Sequence, residues 1–189
     1  MARKITGIVL AAGASRRFDG NKLLFPLDDG KTIIEQSARN LAKVISDLII
    51  IHDPHNHALT QHLKTLDYTL IDNPQAALGM GASIACGVKA TKHSDAWLIA
   101  LGDMPYVNPK SIAKITQALA AGEKIVAPFY CGQRGHPVGF SKDYYSQLSS
   151  LDTDTGARII IRNNQNDLTP LEIDDPGICM DVDRRSDLK

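Results

Sequence analysis

Five apolar runs of strand length, at residues 5–10, 48–51, 68–71, 96–101 and 125–128, recur along the 189-residue chain, and the stretches between several of them carry helical spacing. A strand that returns through a helix to lie beside its predecessor makes a parallel sheet with helices packed on it, so the alternation predicts an α/β fold with a largely parallel sheet. Residues 32–44 place Ile33, Ile34, Ser37, Leu41 and Val44 near one helix face, and residues 56–64 read as a shorter helix. A helix over 82–90 follows a Gly-x-Gly turn; one over 109–121 begins with a proline suited to the first turn and precedes Gly122, a residue type common at C-caps. Beyond Pro128 the pattern changes: 131–135 is turn-like, 136–140 is a short strand, and 154–163 is a helix led by Asp and Thr capping candidates. With no repeat, linker or low-complexity segment, residues 1–189 are expected to form a single domain.

Lysine plus arginine and aspartate plus glutamate number 21 each, so bulk charge favours neither nucleic acid nor an acidic membrane surface. Cys86, Cys131 and Cys179 are odd in number, widely spaced and without a CxxC pair, which argues against a disulfide framework or a zinc ribbon. No apolar run reaches the length of a bilayer span, and Met1-Ala2-Arg3-Lys4 does not open a signal peptide. A soluble cytoplasmic protein is expected.

Open sheets of this kind bind ligands outside the carboxyl ends of their strands, where the loops after Leu10, Ile71 and Leu101 should converge. In the first loop Ala11, Ala12 and Gly13 let backbone amides approach a ligand, while Arg17 and Lys22 bring cations, together making an anion site. A strict Walker A loop is excluded, because Lys22 follows Asn21 and precedes Leu23. Taken alone, the segment reads equally well as a solvated loop, and its position after a buried strand favours binding. The run Leu101-Gly102-Asp103-Met104-Pro105 ends a strand in a carboxylate suited to Mg²⁺. Asn73, Gly81 and Ser83 lie in a glycine-containing segment that offers amides to a base or phosphate, or marks only a tight helix entry. Arg134, Gly135, His136 and Pro137 form a polar loop in which Arg134 and His136 could hold an anionic second substrate, although by itself it reads best as an exposed hairpin. Near the end, alternation along a strand would send Asp181 and Asp183 to one side, where they could complete a metal site with Asp103. The cluster His52, His55, His57 and His62 lacks any zinc-ligand spacing and is expected mostly to face solvent. Ser83 and Cys86 lack the surroundings of a nucleophile.

In order, these segments resemble the nucleotidyltransferases that finish the molybdenum cofactor, especially the cytidylyltransferase branch. The resemblance rests on L-A-A-G-A-S-R-R-F-x-x-x-K at 10–22, N-P-x(4)-G-M-G-x-S at 73–83, L-G-D-M-P at 101–105, R-G-H-P-V at 134–138, G-A-R at 156–158 and D-V-D at 181–183. It implies a three-layer α/β domain of the nucleotide-diphospho-sugar transferase type. It also implies that Leu10, Ala11, Ala12 and Gly13 line the base and ribose, that Arg17 and Lys22 meet the triphosphate, and that Asp103 ligates Mg²⁺. Asn73, Gly81 and Ser83 would border the nucleoside, Arg134–Val138 would face the pterin, and Asp181 or Asp183 would be the late metal ligand. Ala-Ala-Gly in the first loop and R-G-H-P-V resemble the cytidylyl branch, so CTP and molybdopterin are the implied substrates, with a molybdoenzyme chaperone as a possible recipient of the product. Asp19, Met104 and Arg184-Arg185 depart from that branch's usual residues. A sugar or alditol phosphate as acceptor, or a nucleotide-binding module without turnover, are the alternatives.

Overall fold

The computed structural model describes residues 3–13, 18, 20–152 and 154–188. Its strands are β1 (Ile5–Ala11), β2 (Leu48–His52), β3 (Thr69–Asp72), β4 (Ala96–Leu101), β5 (Ile125–Tyr130), β6 (Gln133–Arg134), β7 (Val138–Ser141) and β8 (Leu168–Glu172). The helices are α1 (Ile33–Ala42), α2 (His57–Leu63), α3 (Met80–Ala90), α4 (Pro109–Ala121), α5 (Tyr145–Ser149) and α6 (Arg158–Asn163). One sheet contains all the strands in the order β3-β2-β1-β4-β7-β5-β6, with β8 added to β5. β3, β2, β1 and β4 are mutually parallel, each joined to the next through a helix, as the alternation requires.

β7 runs antiparallel between β4 and β5. Its direction follows from its connection, because no helix separates it from β5. The chain instead reverses through Cys131 and Gly132, whose φ values of 49° and 77° are those of a two-residue hairpin loop. Between the Tyr130–Gln133 pair and the Val126–Gly139 pair the register slips by two residues, and Gly135, His136 and Pro137 fill that slip.

Side chains alternate across the central strands into two separate cores. Val9, Ile50, Leu98 and Val126 face one layer, where Ile34 and Leu41 of α1, Leu63 of α2 and Ile112 and Leu119 of α4 meet them. Ile8, Ile49, Trp97 and Ile125 face the other, packed on Ile84 and Val88 of α3, Leu148 of α5 and Ile160 of α6. Helices on both faces of one sheet make the three-layer arrangement. Trp97 is fully buried opposite Phe140 on β7, and its indole N–H donates to Thr91 Oγ1 at 2.9 Å. Trp97→Ala should therefore cost about 3–5 kcal/mol, measurable by denaturant unfolding.

Local chemistry explains most helix ends. Thr32 and Asn56 cap α1 and α2 through their side chains, Asn108 and Pro109 start α4, and Gly122 ends it at φ 114°. Three expectations need correction. α3 begins at Met80, so Gly81 lies inside it and Gly79, at φ 111°, makes the turn. α6 begins only at Arg158 and has no side-chain cap, because residues 154–157 form turns. The segment around Asp181 and Asp183 is irregular, without strand pairing. β8 and α5 were not anticipated from the sequence.

Candidate functional site

β1 and β4 are neighbours in register, Leu10 beside Leu101, so the chains leaving them emerge together. Gly102 lets them stay close: its N–H donates to the Leu10 carbonyl at 2.9 Å, and a β-carbon there would come within 2.7 Å of Ile34 Cδ1. Asp103 follows at once. Lys22 opens a short 3₁₀ turn anchored by the buried Leu23, and is itself only 8% exposed. From the far end of the chain, fully buried Val182 donates its N–H to the Asp103 carbonyl at 2.9 Å, which brings Asp181 and Asp183 to the same place. Asp187 holds that segment by accepting from the N–H groups of Asp183 and Arg184 at 2.9 and 2.7 Å.

The Lys22 ammonium donates to Asp103 Oδ2 at 2.7 Å and to Asp183 Oδ1 at 3.1 Å. Burial works to lower its pKa, but Asp103 and then Asp183 outweigh that effect and leave it above its ordinary value, so Lys22 stays charged. Asp103, Asp181 and Asp183 each offer a carboxylate oxygen within 4.8 Å of the others. Three carboxylates and one ammonium leave a formal charge of −2. Hard oxygen donors carrying that charge fit a divalent cation of the Mg²⁺ type. The late acidic pair therefore meets Asp103 as expected, although one backbone hydrogen bond, and not strand alternation, brings it there.

At the end of β1 Leu10 and Ala12 are half-buried, Ala11 is buried and Gly13 is exposed. A β-carbon on Gly13 would meet no heavy atom of the described residues within 4 Å. Arg17, the second expected cation, and Asp19 lie outside the described residues. Asn73 and Ser83 are buried at 2% and 4% exposure and bind each other, Asn73 Nδ2 donating to Ser83 Oγ at 3.0 Å. The Asn73 carbonyl oxygen of the side chain also accepts from the Gln75 N–H. These bonds fix the loop after β3 onto α3, with Gly81 buried beside Ser83 in the helix.

The Arg134–Pro137 segment is not the exposed hairpin that its residues suggest in isolation. Arg134 is half-buried, Gly135 and Pro137 are buried, and Arg134 and His136 line a cavity of about 360 Å³ with Ile99, Leu101 and Phe140. His136 Nδ1 is sealed from solvent and has no hydrogen-bond partner among the described residues. Burial pushes the imidazole down to about 4, Arg134 and Arg158 acting in the same direction and Asp181 opposing them. A depressed pKa means that the unfolded chain takes up a proton the folded one refuses. Stability should therefore fall by up to roughly 3 kcal/mol as pH drops from about 6.5 to about 4. Unfolding curves of His136→Gln across that window should show a flatter pH dependence than those of the unaltered protein.

The histidine cluster disperses. His52, one of a group expected mostly to face solvent, is 1% exposed; its Nε2 lies 3.0 Å from Asp72 Oδ1 and its Nδ1 3.2 Å from Thr60 Oγ1. His55 and His57 are exposed. Among the described residues the only grouping suited to a metal is the aspartate triad. The sequence reading missed Arg158 and Ile84 of the cavity wall, although Gly156-Ala157-Arg158 carried a signal as part of the ordered motif set.

A mostly parallel sheet with a buried lysine and three aspartates beyond the carboxyl end of its central strands defines a nucleotidyltransferase-type α/β protein. The chain belongs to the MobA-like NTP transferase domain family, which it matches over residues 7–168. It is similar to the nicotine blue oxidoreductase of Paenarthrobacter nicotinovorans, with 26% identity covering 95% of this chain and 92% of that protein. It is also similar to a probable molybdenum cofactor guanylyltransferase of Geobacillus sp. (strain WCH70), 31% identical over 66% of this chain and 62% of the relative. Among solved structures, that of Rv0371c from Mycobacterium tuberculosis H37Rv superposes with a TM-score of 0.81 and 26% identity, covering 97% of this chain and 95% of the other. No helix among the described residues is long and apolar enough to cross a membrane.

Proposed function

We propose that the chain transfers CMP from CTP to the terminal phosphate of molybdopterin and releases pyrophosphate. The observation that carries this reading is the meeting of Lys22 with Asp103 and Asp183 at the end of β4, with Asp181 beside them. An oxygen of the acceptor phosphate attacks the α-phosphorus in line; the new O–P bond forms as the bond to the β-phosphate oxygen breaks and pyrophosphate leaves with the electron pair. The nucleophile is already anionic, so no general base is required. Lys22, together with Arg17, neutralises the charge that grows on the leaving pyrophosphate. Asp103, with Asp181 and Asp183, would hold Mg²⁺, which when bound neutralises and orients the triphosphate. The remaining contribution is positioning by the Ala11–Gly13 backbone and the Asn73–Ser83 bond. Ala12 in the Ala-Ala-Gly loop supports cytosine as the base; the guanylyltransferase relative supports GTP as the second reading.

Pyrophosphate release over a matrix of nucleotides and acceptors tests the assignment. Turnover with CTP and molybdopterin supports it, turnover only with GTP moves it to the guanylyl branch, and turnover only with sugar or alditol phosphates rejects the pterin acceptor. Chelation by EDTA should abolish turnover, and added Mg²⁺ should restore it.

A further inference from the structure

Shortly before the late aspartate pair stands a half-buried carboxylate, Asp175, that no sequence motif singles out. Its Oδ2 accepts from the Asn108 N–H at 2.9 Å and from the hydroxyl of the buried Ser111 at 2.7 Å. Its Oδ1 accepts from the Gly177 N–H at 3.0 Å. One side chain thus joins two stretches: residues 103–111, which leave β4 with Asp103 and enter α4, and residues 175–183, which carry Asp181 and Asp183. The place favours a charge. α4 begins with Pro109, which has no N–H, and Asn108 caps Lys110 with its side chain, so a carboxylate at this helix start meets free donors and the positive end of the helix dipole. Gly177 permits the close approach, since a β-carbon there would lie 2.1 Å from the Tyr106 carbonyl oxygen. From the other side, the buried Asn40 of α1 donates its side-chain N–H to the Pro105 carbonyl at 2.9 Å. The loop after Asp103 is therefore held by Asn40, and the late segment is fastened to that loop by Asp175.

The Val182 N–H brings the aspartates to Asp103 through a single backbone bond, and the 3₁₀ turn that leads to it, Pro176–Cys179, has no strand pairing. Ile178 accepts from the His136 N–H at 2.8 Å, which ties that turn to the chain after β6 but not to the Asp103 loop. How the segment lies along the loop is then set by Asp175 at one end and Val182 at the other. We propose that Asp175 is a positioning residue for the cation site, its carboxylate fixing the late segment on the Asp103 loop and so the spacing of Asp181 and Asp183 from Asp103. This rests on the reading of the aspartate triad as a site for a divalent cation. Three oxygens within 4.8 Å of one another chelate one ion only while that spacing is kept.

The test reads two quantities on the full chain without nucleotide: the Mn²⁺ affinity by isothermal titration, and hydrogen exchange at the Val182 amide by NMR in metal-free buffer. Asp175→Ala should weaken Mn²⁺ binding about tenfold or more, the usual loss when a partner supporting metal ligands is removed. It should also speed exchange at Val182 by about tenfold, as the segment opens without its charged bonds. Asp175→Asn, which keeps one acceptor oxygen for Asn108 and Ser111, should fall between Asp175→Ala and the unaltered protein in both. Thr91→Val takes the acceptor from the Trp97 indole in the other helix layer and so supplies a destabilised protein with Asp175 in place. Its Mn²⁺ affinity and its exchange at Val182 should match those of the unaltered protein. Undiminished Mn²⁺ affinity in Asp175→Ala, where Asp103→Asn does weaken binding, would overturn the proposal and leave the cation site standing. An equal loss in Thr91→Val would overturn it as well. If Asp103→Asn leaves Mn²⁺ binding untouched, the cation reading falls; faster exchange at Val182 in Asp175→Ala would then still support the fastening by Asp175, and unchanged exchange would overturn it.

Discussion

Lys22→Ala should lower the rate of pyrophosphate release by about a hundredfold or more, the usual loss when a preorganised charge facing a developing anion is removed. The same substitution should tighten the binding of a divalent cation. Lys22 sits between Asp103 and Asp183 at 2.7 and 3.1 Å, where it takes two of the oxygens that a metal would use. Without it the aspartate triad carries a formal charge of −3 and lacks its competitor. Falling turnover with rising metal affinity is an unusual pairing, and damage to the fold would lower both. In metal-free buffer the variant should also melt earlier, since three carboxylates within 4.8 Å of one another then repel without a counter-charge, and saturating Mg²⁺ should recover most of the loss. Isothermal titration with Mn²⁺ and melting curves with and without Mg²⁺ read these effects. The raised pKa keeps the Lys22 ammonium charged into alkali, so the lysine's share of the pairing is given up only as pH rises through that raised value.

Asp103→Asn should reduce turnover on a similar scale while weakening cation binding by about tenfold or more, because it removes one hard donor and a unit of charge. It also takes from the buried Lys22 its shorter ion pair, leaving burial to act against the ammonium with the longer pair to Asp183 remaining. A stability cost of about 1–3 kcal/mol in metal-free buffer follows from stranding part of that charge. Because Lys22 and Asp103 act as one unit, the double variant should lose little more activity than either single one. Additive losses would place the two residues in independent roles.

What the sequence made legible follows the range of the interactions. α4 matches its expected bounds, residues 109–121, because Asn108, Pro109 and Gly122 are local signals that need no tertiary partner. β4 does so because Ala96–Leu101 is buried on both faces and reads as an unbroken apolar run. β8 escapes for the opposite reason: at the sheet's edge, with Pro170 and an exposed Glu172, it shows neither alternation nor a continuous apolar run. His52 is the buried exception in a group expected mostly to face solvent, because the Asp53-Pro54 turn governs His55 and His57, whereas His52 is still the last residue of β2. The aspartates of the candidate metal site were each visible as strand-end or chain-end carboxylates. Their meeting depends on one contact across the fold, Val182 N–H to the Asp103 carbonyl, which no local pattern announces. The cavity around Arg134 needed the two-residue slip between β6 and β7 and the packing of α6 on α3, so reading Arg134 and His136 as an exposed hairpin was the reasonable local inference and the wrong one.

The account stands most directly on where a divalent cation and the triphosphate sit. A crystal soaked with CTP and Mn²⁺, with the cation located by its anomalous signal, should show Mn²⁺ on Asp103 and at least one of Asp181 and Asp183, Lys22 turned to the phosphates, and cytosine against the Ala11–Gly13 backbone. Manganese elsewhere, or CTP bound while Lys22 keeps both of its carboxylate contacts, would contradict it.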